Sequence, residues 1–185
     1  LPMAACRAAG SAFIAQEHFD PAASVREIVD ERATILFPSF PTLTSALFAH
    51  PDFDAARMSS VRIVNNVGPP DLLRRFAAML PQATHVSAYG LTEAGGVIAF
   101  HAPDDPPELL AETSGRAFDG IEVRIMDPET LQPLPFGERG EAFARDRRVH
   151  VLAVTGEVAR SLPLAHVLED RAVRLVPRMD ARPAD

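Results

Sequence analysis

What most constrains this chain is an alternation: between Ser24 and Phe100, segments with helical spacing of apolar residues give way, one after another, to short β-prone runs. Ser24 to Arg32, Thr42 to Ala49 and Pro70 to Leu80 take the helical places, with Ser24 and Thr42 as candidate N-caps. Along the last of these, Leu72, Leu73, Phe76, Met79 and Leu80 fall on one helical face. Runs 33–38, 61–66, 84–88 and 97–100 take the strand places. Such an order predicts an α/β fold, a parallel sheet with helices packed on its faces. After Pro103 the pattern changes. Residues 121–126 and 139–143 flank the turn Asp127-Pro128-Glu129-Thr130 and read as a β-hairpin that begins a barrel-like subdomain. The expected division is an α/β nucleotide-binding part over 1–103, the hairpin segment over 104–143, and a divergent tail over 144–185.

The chemistry concentrates in Tyr89-Gly90-Leu91-Thr92-Glu93-Ala94-Gly95-Gly96. Tyr89 and Gly90 are expected to break the preceding run at the carboxyl end of a strand, the edge where open α/β sheets bind ligands. Glycines at 90, 95 and 96 would let backbone approach a ligand closely. Thr92 offers a hydroxyl to a phosphate oxygen, Glu93 the hard carboxylate oxygen that Mg²⁺ prefers, and Tyr89 a ring face on which a base can stack. The same spacing also reads as an ordinary turn with a Thr cap and an acidic first helical turn.

The chain contains no lysine; all eighteen basic residues are arginine. Any step that needs a lysine therefore lies beyond these residues. A formal net charge of −7 argues against a nucleic-acid surface, and Arg145, Arg147 and Arg148 are expected in a solvated loop. The sequence has no apolar run of eighteen or more residues and no signal-peptide pattern, which predicts neither a membrane span nor export. Cys6 is single, so no disulfide can form within the chain, and a reducing cytoplasm is the expected setting. Histidines 18, 50, 85, 101, 150 and 166 lack metal-ligand spacing, and each is expected at the surface or half-buried.

Several further segments fall in an order that carries a resemblance. Phe19-Asp20-Pro21 precedes a helix-like stretch, Ala33 to Pro38 leads to Pro41-Thr42, and Val61 to Asn66 runs into Val67-Gly68-Pro69-Pro70. Then come Tyr89-Gly90-Leu91-Thr92-Glu93, Gly115-Arg116, the stretch from Gly120 to Thr130, and Gly137-Glu138-Arg139-Gly140-Glu141. Together they resemble the large domain of the adenylate-forming acyl-CoA synthetases, a superfamily that includes luciferases and the adenylation domains of peptide synthetases, over residues 1 to about 141. The resemblance implies that a carboxylate attacks the α-phosphate of ATP to give an acyl-adenylate and pyrophosphate, after which coenzyme A displaces AMP. It implies that Tyr89 stacks on adenine, that Gly68 and its neighbours form the other wall of the base pocket, that Thr92 contacts phosphate beside Gly90, and that Glu93 holds Mg²⁺. Room beside Gly95 and Gly96 suits an aliphatic carboxylic acid.

The departures set the remaining expectations. The family's Ser/Thr/Gly-rich phosphate loop, which ends in lysine, belongs ahead of Leu1, and its small carboxy-terminal domain, with a second lysine, belongs beyond Asp185. Loss of a cation aimed at developing charge is comparable to loss of an oxyanion donor, about 2.7–4 kcal/mol of barrier. The isolated chain is thus expected not to catalyse adenylation, and to need a complementing polypeptide if it belongs to an active synthetase. In the tail, Thr155-Gly156-Glu157 is similar to the family's Thr-Gly-Asp ribose-binding motif, and Leu175-Val176-Pro177-Arg178 to the strand that ends in Gly-Arg before the hinge. Glu157 would then stand for Asp and Pro177 for Gly; an unrelated tail is the competing reading. Two functional classes stay open: part of an acyl-CoA synthetase, or a non-catalytic remnant or adenylate-binding module.

Overall fold

The computed structural model describes residues 2–92 and 96–145, with the backbone alone of 146 and 152–160. It divides into two compact units, one from Leu1–Gly68 with Leu73–His85, the other from Pro69–Leu72 with the described residues from Val86 onward.

The first unit opens with α1 (Pro2–Ala8) and α2 (Pro21–Asp30). Asp20 starts α2: its carboxylate accepts the Ala23 N–H at 2.6 Å while Pro21 supplies a preset φ at the first helical position. Ser24 is therefore not the cap expected from the sequence; its hydroxyl donates to Gln16 Oε1 at 2.9 Å. Next come β1 (Ile35–Ser39), α3 (Pro41–Phe48), β2 (Ile63–Asn66), α4 (Pro70–Met79) and β3 (Thr84–Val86). Thr42 does not cap α3 either. That helix begins after Phe40 without a side-chain cap, Pro41 having fixed the entry angle.

Strands β1 and β2 run parallel, with Ile35 opposite Ile63 and Leu36 opposite Val64, in a sheet ordered β1-β2-β3. This is the parallel sheet that the alternation predicts. Leu36 and Val64 are buried, as are Val25 and Ile28 of α2 and Leu47 and Phe48 of α3. The Phe48 ring meets Phe53 at 4.8 Å and the edge of Phe76 from α4 at 5.7 Å. Burial of each such side chain contributes about 1.5–3 kcal/mol.

In the second unit β4 (Ala88–Leu91), β5 (Gly96–Phe100) and β6 (Arg116–Ala117) form an antiparallel sheet, with the short helix α5 (Pro107–Leu110) between the last two strands. Two expectations fail here. Run 97–100 does not extend the parallel sheet; it folds back on β4, because residues 92–95 are too few for the crossover of about a dozen residues that parallel pairing needs. Tyr89 and Gly90 do not break a strand but lie within β4, and the interruption falls at Ser87.

Strands β7 (Ile121–Met126), β8 (Arg139–Asp146) and β9 (Leu152–Arg160) make a second antiparallel sheet, with Val123 opposite Ala144 and Met126 opposite Glu141. The Asp127 carboxylate shapes the β7–β8 connection by accepting the N–H groups of Glu129 and Thr130 at 2.9 and 2.7 Å, and those bonds hold its pKa low. Arg145 is not in a loop: it sits in β8 and donates to Glu122 Oε2 at 2.6 Å. Ile98 and Ala99 of β5 share one core with Val123, Ile125, Ala142 and Ala144.

Candidate functional site

Two structural requirements meet in the β4–β5 hairpin. Tyr89 pairs with Ala99 and is only 7% exposed, its ring in the core with Ile98 and Val123, so most of the aromatic face is spent on packing. Between Tyr89 and Gly90 the register slips, which places Gly90 opposite Val97 and Leu91 opposite Gly96. A Cβ on Gly90 would overlap Gly96 O and stand 2.6 Å from the Val97 Cα. The hairpin's own close approach is therefore reason enough for glycine there. Gly96 adopts φ +117° with open space where a Cβ would point. Thr92 follows β4 directly, in 3₁₀ conformation and exposed. Glu93 and Gly95 lie outside the described residues, as does Arg178; Glu157 falls in β9, where the backbone alone is described.

Gly68 belongs to the first unit, half-buried, just past the carboxyl end of β2. That end carries a polar cluster that the sequence reading passed over. Thr44 Oγ1 donates to Asn66 Oδ1 at 2.5 Å, Ser39 Oγ to Asn65 Oδ1 at 3.4 Å, and the Val67 N–H to Ser39 O at 3.0 Å. Asn65 and Asn66 are at most 1% exposed, and neither Nδ2 has a partner among the described residues. Two adjacent asparagines ending an apolar strand run were the available signal, since amides at such depth need a purpose. Ser39 holds φ +60°, a conformation that costs a non-glycine residue of order 1–3 kcal/mol.

The histidines at 85 and 101 correct a surface expectation, being 9% and 2% exposed. His85 Nε2 lies 3.1 Å from Leu80 O, and burial pushes its pKa below 6.5 despite that bond. His101 lies at the root of the hairpin, bonded to Ser87 and Thr113. Nearby, the buried Asp105 carboxylate accepts the Ala102 N–H at 3.1 Å and pairs with Arg116 of β6. The site residues thus divide by unit: Tyr89, Gly90 and Thr92 share one hairpin, and Gly68 stands in the other unit.

Comparison with known proteins bears on what such a hairpin serves. The Bacillus subtilis protein YngI, named as an acyl-CoA synthetase, is 33% identical over 152 residues, 80% of this chain and 28% of its own length. A Mycobacterium tuberculosis CoA ligase for a methyl-dioxo-octahydroindenyl propanoyl group is 35% identical over 126 residues, 66% of this chain and 25% of its own. The chain therefore spans about a quarter of the length of these curated relatives. Among solved structures, ATP-bound MatB from Rhodopseudomonas palustris superposes with a TM-score of 0.72 at 21% identity, over 91% of this chain and 35% of that one, a likeness of fold alone. The amide bond synthetase McbA from Marinactinospora thermotolerans, 26% identical, gives 0.68 over 89% of this chain and 35% of its own. A family model for AMP-binding enzymes matches residues 2–150, which takes in all of the described hairpin, and the chain belongs to that adenylate-forming family.

Proposed function

We propose that this chain carries part of the nucleotide site of an AMP-forming acid–thiol ligase, which joins a carboxylic acid, by preference aliphatic, to coenzyme A through an acyl-adenylate. The observation that carries the reading is the exposed Thr92 directly after β4, inside the family match, with Glu93 next in sequence. A hydroxyl and a carboxylate side by side are hard oxygen donors of the kind that phosphate-bound Mg²⁺ accepts. In this reading Thr92 contacts a phosphate of ATP and Glu93 holds Mg²⁺, which when bound would draw negative charge from the phosphates. Tyr89 borders adenine with the small part of its ring left outside the core, and Gly90 keeps the strand flush. Glu157 would take the ribose hydroxyls, and Arg178 would lie near the hinge.

Without lysine, the chain alone lacks the cation that this chemistry aims at the developing charge. We therefore place turnover in a longer protein or in a complex with a complementing polypeptide, in the cytoplasm. The missing lysine equally favours a second reading, an adenylate-binding module without turnover. ATP–pyrophosphate exchange tests the first claim: purified chain alone should stay at background, and exchange above it would contradict the proposal. Restored exchange on addition of a polypeptide with the lysine-bearing segments would decide for the ligase over the module.

A further inference from the structure

We propose that His101 is a positioning residue for the Tyr89–Thr92 hairpin, its imidazole selecting by tautomer which backbone atom of Ser87 is held and so where Gly90 and Thr92 stand. The inference rests on the nucleotide-binding reading for its functional meaning, and on geometry for its mechanism.

His101 follows directly on β5 and is 2% exposed. The Ser87 N–H donates to its Nδ1 at 3.0 Å, and the His101 N–H donates to Ser87 O at 3.1 Å. A ring nitrogen that accepts an N–H carries no proton of its own, so the proton sits on Nε2. There it is donated to Thr113 Oγ1 at 2.8 Å. The Thr113 hydroxyl donates to Leu109 O at 3.0 Å and accepts the Gly115 N–H at 3.4 Å. Donation thus runs one way, from Ser87 through the imidazole to α5, and bonds in such a chain strengthen one another.

Ser87 O also lies 3.1 Å from Nδ1. With the proton on Nδ1, the ring would give a bond to that carbonyl and lose the Ser87 N–H. The choice matters because Ser87 is the interruption between β3 and β4, two residues before Tyr89, and the register of β4 already slips at Gly90. Register is weakly fixed in such a strand, and a clasp at its root removes the alternative. The other side of the root is fastened as well: Gly115 stacks against the Phe100 carbonyl, where any Cβ would overlap it, and the Asp105–Arg116 pair ties 102–105 to β6. An imidazole spans Ser87 and Thr113 with a nitrogen for each.

The test uses the full purified chain, with AMP as probe. Ring ¹⁵N resonances of the wild type should report a bare Nδ1 and a protonated Nε2; a proton on Nδ1 would overturn the proposal. In His101→Asn and in Thr113→Val, the amide signals of Gly90 and Thr92 should move and AMP binding should weaken about tenfold. A lower melting temperature with those amides and that affinity unchanged would make His101 a packing residue only. If His101→Asn fails to fold, Thr113→Val keeps the imidazole and carries the same readout. A wild type that binds no AMP would sink the nucleotide reading, and the ring tautomer and hairpin amides would still decide the clasp.

Discussion

Single residues in this molecule separate by what their neighbours allow. Gly115 (φ +82°) and Gly137 (φ +92°) both hold left-handed backbone, but a Cβ on Gly115 would overlap the Phe100 carbonyl whereas one on Gly137 meets nothing within 4 Å. Gly137→Ala should then cost about 1–2 kcal/mol of conformational strain, and Gly115→Ala should add steric overlap for about 2–4 kcal/mol. Denaturant midpoints of the two variants check this, and equal losses would contradict it. His85 gives a pH signature. Burial lowers its folded pKa below 6.5, so the unfolded chain takes up a proton that the folded one refuses. Its contribution is whole above pH 6.5 and shrinks as pH falls from there toward the folded pKa. Glu122, bonded by Arg124 and Arg145, and Asp127 have lowered pKa values too, so their stabilisation persists until pH falls below 4.5 and 3.8. The stability gap between wild type and His85→Leu should therefore narrow between pH 7.5 and 5; a gap that stays constant would show that His85 does not titrate with unfolding.

At the scale of elements, helix entry is where the sequence misleads and the structure corrects. Asp20→Ala removes the bond to the Ala23 N–H and should cost about 1 kcal/mol, while Thr42→Ala, exposed and outside any cap, should change stability by less than about 0.5 kcal/mol. Matched thermal melts would distinguish the two, and a larger effect at Thr42 would reverse the assignment. Helices α2, α3 and α4 were legible from apolar spacing, as Leu73 and Phe76 on one face of α4 show, whereas α1 and α5 are too short to carry such a pattern. The 121–126 and 139–143 pairing was legible because a turn sequence separates two alternating runs. Run 97–100 was not, since apolar composition alone does not say whether a strand goes on in parallel or folds back, and only the brevity of 92–95 decides it. In the site, the motif marked Tyr89 and Thr92, yet the burial of the Tyr89 ring and the clasp at His101 depend on partners up to fifty-five residues distant, which no local pattern carries.

For the molecule as a whole, β1 keeps apolar surface in solvent, with Ile35 54% and Phe37 37% exposed, and Phe40 and Val67 exposed beside its carboxyl end. Parallel sheets are ordinarily covered on both faces. That surface agrees with a chain spanning about a quarter of its relatives' length, and with the proposal that turnover needs more protein than these residues. No helix among the described residues is long and apolar enough to cross a membrane. The central claim is that the chain nonetheless holds a binding-competent part of an adenylate site. Thermal unfolding with and without Mg²⁺ and a non-hydrolysable acyl-adenylate analogue tests it most directly. At a hundred times its dissociation constant the analogue should add about 2.7 kcal/mol, several degrees for a chain of this size, and Thr92→Val should reduce that gain. A cooperative transition that ignores the analogue, or a gain untouched by Thr92→Val, would contradict the account.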